Sequence, residues 1–311
     1  MAGLSKRLWA FSSRVHAPGL HIAYAAFWFL ALDGALVVSS GKAHWHLGLD
    51  SALAILSLFL LLFFLRVLDE IKDIDYDRLH NPDRPLVSGL VSQRDLVLFL
   101  VGTAGVVALL HLGLSRRLFT IAVVDMVYGV ALMFLERLSP RVRNGMGWNL
   151  LVTYPVNILL SVYTYVFFAE RHGAEPETGM LLVGALALAF LHYEIGRKTR
   201  WPGHGPAGER LYSQFLGPRG AAALATTCAA LATAIVLFVM APWQKEGAVA
   251  AFAWWQIAPL VPAVAGAVLF LLARNGPHAG RKVMKPLALA YLFLFYASLI
   301  GLACIARPPW N

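Results

Sequence analysis

Between Arg66 and Ser92 the chain reads RVLDEIKDIDYDRLHNPDRPLVSGLVS, and six of its seventeen acidic residues stand there: Asp69, Glu70, Asp73, Asp75, Asp77 and Asp83. A helix continuing to about Leu79 would stack Asp69, Asp73 and Asp77 on one face, with Glu70 on its edge and Asp75 pointing elsewhere. Like charges stacked in this way repel by roughly a few tenths of a kcal/mol per pair. Lys72, Arg66 and Arg78 can offset part of that, and a bound cation would offset the rest. Magnesium takes one or two carboxylates, keeps several waters and completes its shell with phosphate oxygens. A row of carboxylates beside basic residues therefore suits a Mg²⁺-bound phosphate; the plain alternative is a salt-bridged, solvated helix end. Pro82 and Pro85 then stop the helix and turn the chain into a loop.

A second polar stretch runs His192-Tyr193-Glu194-Ile195-Gly196-Arg197-Lys198-Thr199-Arg200, passes a proline- and glycine-rich segment, and resumes at Glu209 to Gly217. Glu194 and Glu209 are its carboxylates. Arginine and lysine hold phosphate oxygens directly, arginine in bidentate fashion. The alternative is a basic loop that anchors a helix end at a membrane surface.

The elements carrying these stretches are set by composition. The chain has 311 residues, 59% hydrophobic and 14% charged, with a mean hydropathy of +0.66, which is the balance of a polytopic membrane protein. Runs long enough to cross the hydrocarbon lie at about 20 to 40, 49 to 68, 95 to 114, 118 to 135, 147 to 168, 179 to 193, 219 to 240, 250 to 273 and 286 to 306. The sixth is short and is expected to continue through Tyr193 and Glu194. The predicted fold class is all-α, a polytopic membrane bundle of nine transmembrane helices forming one domain over 1–311; that they surround a central cavity is implied only by the family resemblance set out below. Residues 1–18 are basic and amphipathic and read as an interfacial segment rather than a cleavable signal.

A net charge of +9 in such a chain reports cytoplasmic loops facing anionic lipid, and no aromatic-interleaved basic patch points to nucleic acid. With the N-terminus inside, the positives after Arg66, at Arg137 to Arg143, Arg197 to Arg219 and Arg274 to Lys285 all fall on the cytoplasmic side. The opposite connections carry only scattered ones, such as Lys42, Arg116, Arg117, Arg171 and Lys245. Both polar stretches, 69–92 and 194–217, are then cytoplasmic loops. Cys228 and Cys304 lie in apolar segments without ligand spacing, so packing is their expected role.

Asp69-Glu70-x-x-Asp73-x-x-x-Asp77, followed by Pro82-x-Arg84-Pro85 and Gly89, resembles the first aspartate-rich motif of the UbiA superfamily of intramembrane prenyltransferases, usually N-D-x-x-D-x-x-x-D and then P-x-R-P and glycine. Asp69 and Glu70 depart from that pattern but keep oxygen ligands. The second stretch is similar in position to the family's second aspartate-rich motif, including Leu216-Gly217, yet carries Arg197, Lys198 and Arg200 where aspartates are expected.

The resemblance implies an integral membrane protein, of bacterial inner-membrane type, that transfers a prenyl group from an isoprenoid diphosphate to an acceptor within the bilayer. Its cofactor would be Mg²⁺, held by Asp69, Glu70, Asp73 and Asp77. Asp73, Asp77 and Arg84 would be catalytic, and Lys72, Arg137, Asn149, Glu194, Arg197 and Lys198 would bind substrate. The acceptor, an aromatic quinone precursor or a lipid, is not selected by any motif. Terpene cyclisation and phosphosugar transfer to a polyprenyl phosphate stay open, as does a non-catalytic cation or lipid transporter.

Weaker signals lie elsewhere. Asp33 and Asp125 are ionisable residues at membrane depth, hydrogen-bonded interior groups or acceptor-positioning ones. Trp28, Phe29, Tyr154, Tyr163 and Tyr165 either pack or line a chamber. Trp45, between His44 and His46, is expected as an interfacial anchor.

Overall fold

The computed structural model describes residues 3–41, 44–173, 175–204, 210–273 and 283–309. Lys42, Glu209 and most of the Arg274 to Lys285 loop lie outside them. Every regular element among the described residues is helical: α1 (Leu4–Val15), α2 (Pro18–Ser40), α3 (Leu49–Lys72), α4 (Ile74–His80), α5 (Gln93–Leu110), α6 (Arg116–Leu138), α7 (Pro140–Asn144), α8 (Met146–Thr153), α9 (Pro155–His172), α10 (Pro176–Arg197), α11 (Tyr212–Met240), α12 (Gly247–Trp254), α13 (Leu260–Leu272) and α14 (Met284–Ala306).

Nine helical segments among the described residues are long and apolar enough to span a membrane, and they coincide with the nine apolar runs. The sixth extends through Glu194 to Arg197, as its sequence implies. In the Gln93–Gly113 span only 28% of the apolar window is buried within the protein. A helix apolar on its outward face as well as its inward one is suited to lipid, because hydrocarbon satisfies no backbone group and rewards no polar side chain.

The chain divides into two units, Met1–Ala26 with Leu47–Val166, and Phe27–His46 with Phe167–Asn311. In the first, α3 packs on α5 and α6, and α1 docks on α5. The fully buried Phe11 of α1 enters a cluster formed by Phe63, Val67, Val91, Leu96 and Phe99. The Arg7 guanidinium clamps the Asp95 carboxylate at 2.8 and 3.0 Å. Asp95 also closes a capping box with Ser92 at the start of α5, which satisfies amides that the helix leaves open. Trp9, on the outer side of α1, is 68% exposed, consistent with an amphipathic surface helix.

In the second unit α10 packs on α11 and α14. Ala185, Ala189, Ala221, Ala225, Ala229 and Ala232 are fully buried there, small side chains of the kind that let membrane helices approach closely. His192 Nδ1 hydrogen-bonds the Ala225 carbonyl at 2.8 Å, and the Tyr291 hydroxyl donates to the Ala229 carbonyl at 3.2 Å.

Trp45 differs from expectation. It is 3% exposed, folded against Gly34, and its indole N–H donates to Asp33 at 2.9 Å. A buried carboxylate needs a donor more than the interface needs an aromatic ring, so Asp33 is a hydrogen-bonded interior group. Of the aromatic residues singled out in the spans, Trp28, Phe29 and Tyr163 are buried, and the Tyr163 hydroxyl meets His111 Nε2 at 3.1 Å, while Tyr154 and Tyr165 are half-buried.

Candidate metal and phosphate site

The acidic motif does not sit on one unbroken helix. α3 ends at Lys72, Asp73 leaves the helical region at φ −90° and ψ 9°, and α4 begins at Ile74. The register nevertheless carries across, since the Asp73 N–H donates to the Asp69 carbonyl at 2.9 Å and the Asp77 N–H to the Asp73 carbonyl at 2.8 Å. Asp77 is buried. Asp75 is turned away, its side chain 91% exposed and paired with Arg78 at 3.4 Å.

Two ion-pair groups form around Asp73. In the first, Glu70 Oε2 takes Arg66 at 3.0 Å and Arg84 at 3.7 Å, and Arg84 also stands 3.8 Å from Asp77 Oδ2. Asn81 Nδ2 donates to the other Asp77 oxygen at 2.7 Å. In the second, Lys72 Nζ bridges Asp69 at 3.1 Å and Glu136 of α6 at 3.2 Å. Asp73 feels Lys72, Asp69, Glu136 and Asp77 electrostatically. Burial pushes its carboxyl up to about 6 despite the lowering effect of Lys72, with the neighbouring carboxylates acting in the same direction as burial.

The loop that brings Arg84 back is a series of turns. The Arg84 N–H donates to the Asn81 carbonyl, Ser88 to Arg84, and Val91 to Pro85. Gly89 closes the loop at φ +75°, a conformation that costs side-chain-bearing residues about 1 kcal/mol or more.

Among the described residues, no three His, Cys, Asp or Glu side chains converge as a ready-made metal site. Magnesium does not require one, because it uses few protein carboxylates and takes the remaining oxygens from phosphate and water. The residues present fit that mode. Glu70 is 2% exposed, and its Oε1 has no hydrogen-bond partner. A buried carboxylate oxygen without a donor is costly unless a cation meets it.

Of the other expected residues, Arg137 reaches the Ile71 carbonyl at the end of α3 through a 3.4 Å contact. Asn149 lies on α8, outside the ion-pair groups, and its carbonyl accepts the Thr153 hydroxyl at 2.8 Å. Asp125 is 1% exposed with neither carboxylate oxygen hydrogen-bonded. Glu136, the buried partner of Lys72, stands out in the sequence only as one of the residues, with Tyr128, Arg137 and Asn149, that flank the loop after α6, and it takes no site role there.

The second polar stretch is partly neutralised from within. Glu194 takes Arg197 Nε at 2.6 Å and Lys198 Nζ at 2.9 Å. Lys198 also lies 5.7 Å over the Tyr212 ring. The segment is pinned by the Arg200 N–H on Ser213 Oγ and by the Trp201 indole N–H on the Phe270 carbonyl, at 3.1 and 2.9 Å. Gly217, at φ +72°, breaks α11, so that the long helix proper starts at Pro218. Proline fits there because a helix's first amides need no partner.

No protein-family model and no curated protein sequence matches the chain. Solved structures do. A UbiA homologue from Aeropyrum pernix superposes with a TM-score of 0.64 at 18% identity, over 90% of this chain and 98% of that one. A digeranylgeranylglyceryl phosphate synthase gives 0.62 at 17%, over 98% of this chain and all of the other. A UbiA homologue from Archaeoglobus fulgidus, bound to dimethylallyl diphosphate (DMAPP) and Mg²⁺, gives 0.53 at 18%, over 91% and 98%. At such identities what is shared is the backbone architecture, and by that architecture the chain carries the UbiA fold.

Proposed function

We propose that the chain is a Mg²⁺-dependent prenyltransferase that moves a prenyl group from an isoprenoid diphosphate to an acceptor within the membrane. The observation that carries this reading is the α3–α4 junction, where Glu70 Oε1 lies buried without a partner among Arg66, Arg84 and Asp77. An architectural relative of this fold binds DMAPP with Mg²⁺, which supports the same donor class here.

Asp69, Glu70, Asp73 and Asp77 would hold the Mg²⁺. Bound there, it supplies positive charge to the departing diphosphate, where negative charge develops in the transition state. Arg84 sits between two of these carboxylates and adds a donor to the same oxygens. Arg197 and Lys198, fixed by Glu194, are phosphate donors of the second motif. Arg137 braces the end of α3, and Asn149 belongs to the substrate-binding set. The polar loops and the N-terminus face the cytoplasm, as the Lys and Arg distribution favours.

The test is binding of prenyl diphosphates of several chain lengths to the purified protein, with and without Mg²⁺, against Asp73→Ala. Tight binding that needs both the metal and Asp73 is expected. Binding to none of the panel, or binding indifferent to Mg²⁺ and to Asp73, refutes the proposal.

A further inference from the structure

α1 meets α2 at an elbow whose composition packing does not explain. His16, which ends α1, is 1% exposed, and neither of its ring nitrogens has a hydrogen-bond partner. Its ring stacks on His21 of α2 at 3.9 Å and meets Phe59 and Phe63 of α3 at 5.2 and 5.3 Å. A phenylalanine would fill the same space without leaving two polar atoms dry, and dry polar atoms cost the docked state free energy. Ala17, next in the chain, holds the left-handed backbone at φ +40°, which residues with a Cβ avoid. The bend is closed by the Ser12 carbonyl, which accepts the His16 and Ala17 N–H groups at 2.9 and 2.8 Å.

The surroundings of this imidazole all disfavour a proton on it. Burial acts most strongly, and His21 from α2 and Arg66 from α3 add to it. No carboxylate is spare to offset them. Asp95, which α5 presents to α1, is taken by Arg7 at 2.8 and 3.0 Å, and Glu70 is taken by Arg66 itself at 3.0 Å. The charged side chains of α1, Lys6, Arg7 and Arg14, are all basic. Docked, His16 is held down to about 3, and released into water it returns to its ordinary 6.5. The docked state is therefore disfavoured progressively as pH falls below about 6.5.

What α1 covers gives the elbow a consequence. Phe11 of α1 is fully buried in a cluster that contains Val91, with Leu86 packed against it. Leu86 and Val91 belong to the loop that brings Arg84 back to Glu70 and Asp77. We propose that the elbow is an acid-released latch: α1 stays docked on the loop that carries Arg84 while His16 is neutral, and lifts from it when His16 takes a proton. The latch stands outside the carboxylate cluster and holds whatever ligand that cluster takes.

Release is read as the reactivity of a buried thiol. In a chain with Cys228 and Cys304 replaced by alanine, Ser12→Cys puts a thiol on the buried face of α1, where Ser12 is 9% exposed. Asp75→Cys is the exposed reference. Each protein is labelled with a maleimide in lipid nanodiscs, and the ratio of the two rates cancels the common effect of pH on thiol ionisation and reports released α1. From pH 7.5 to pH 5 the ratio should rise about 30-fold, as linkage between 6.5 and about 3 requires. It should stay flat in His16→Phe and in His16→Leu, which cannot take the proton. Ser57→Cys, on the fully buried face of α3, should label far more slowly than Ser12→Cys at both pH values. A flat ratio with His16 in place overturns the latch, whether or not either variant folds. A rise that survives His16→Phe or His16→Leu overturns it too, and so does Ser57→Cys labelling as fast as Ser12→Cys, because then α3 opens together with α1.

Discussion

If Asp73 is a ligand of the proposed Mg²⁺, its raised carboxyl predicts a binding that is sensitive to acid in a range where an ordinary aspartate is silent. Burial brings Asp73 to about 6, against an ordinary value of 3.8. A ligand carboxylate must be deprotonated, so below about pH 6 Mg²⁺ competes with a proton. With one proton displaced, the apparent dissociation constant at pH 5 is about 11-fold weaker than its high-pH limit, or about 1.4 kcal/mol. At pH 7 the loss is about 1.1-fold, and an unshifted aspartate would lose less than about 1.1-fold even at pH 5.

Stability is the wrong readout for this shift. A carboxyl raised in the folded state makes the metal-free protein more stable as pH falls from about 6 toward 4. His16 acts in the opposite direction: burial, aided by His21 and Arg66, pushes its imidazole down to about 3. The folded state therefore refuses a proton that the unfolded chain takes below about 6.5, and stability is lost as pH falls through that range. The two trends overlap and offset each other, whereas metal affinity reads only the carboxylates proposed to hold the ion, and Asp73→Asn separates Asp73 from the rest. The assay is Mn²⁺ titration at pH 5 and pH 7 on the wild type and Asp73→Asn. A wild-type ratio near one, or a tenfold ratio that survives Asp73→Asn, refutes the assignment.

Two further substitutions test the geometry. Asp75→Ala should leave donor binding and turnover unchanged, because Asp75 faces solvent, while Asp77→Ala should reduce turnover by at least about 100-fold, as loss of a group acting on the leaving charge does; equal effects would refute the facing. Arg66→Met removes the closest cation from Glu70, whose side chain is 1% exposed, while Arg84 stays at 3.7 Å. Breaking a buried pair costs about 3–5 kcal/mol, and the remaining arginine reduces this to about 2–3 kcal/mol. Unfolding can be followed with a thiol-reactive dye, since Cys228 is buried in the fold. Adding Glu70→Gln should recover part of the loss, and strict additivity of the two substitutions would refute the pairing.

The spans were legible because lipid asks one thing of a helix, apolar side chains all round, and asks it of the chain locally. The site was legible only where its logic was also local. Asp75 is set apart from Asp77 by helical periodicity alone, and the structure agrees. The break at Asp73 left no mark, since the amide bonds from Asp73 to Asp69 and from Asp77 to Asp73 keep the same spacing with or without it. Glu136 could not be paired with Lys72 from sequence because 64 positions separate them, and only the packing of α6 on α3 brings them together. Glu194 is the instructive case: its partners Arg197 and Lys198 lie three and four residues on, the spacing at which helical side chains meet, so their sharing of one carboxylate was written in the sequence beside the positive charge that drew attention. In both polar stretches a carboxylate stands within reach of a neighbouring basic residue: Asp69 and Glu136 for Lys72, Glu194 for Arg197 and Lys198.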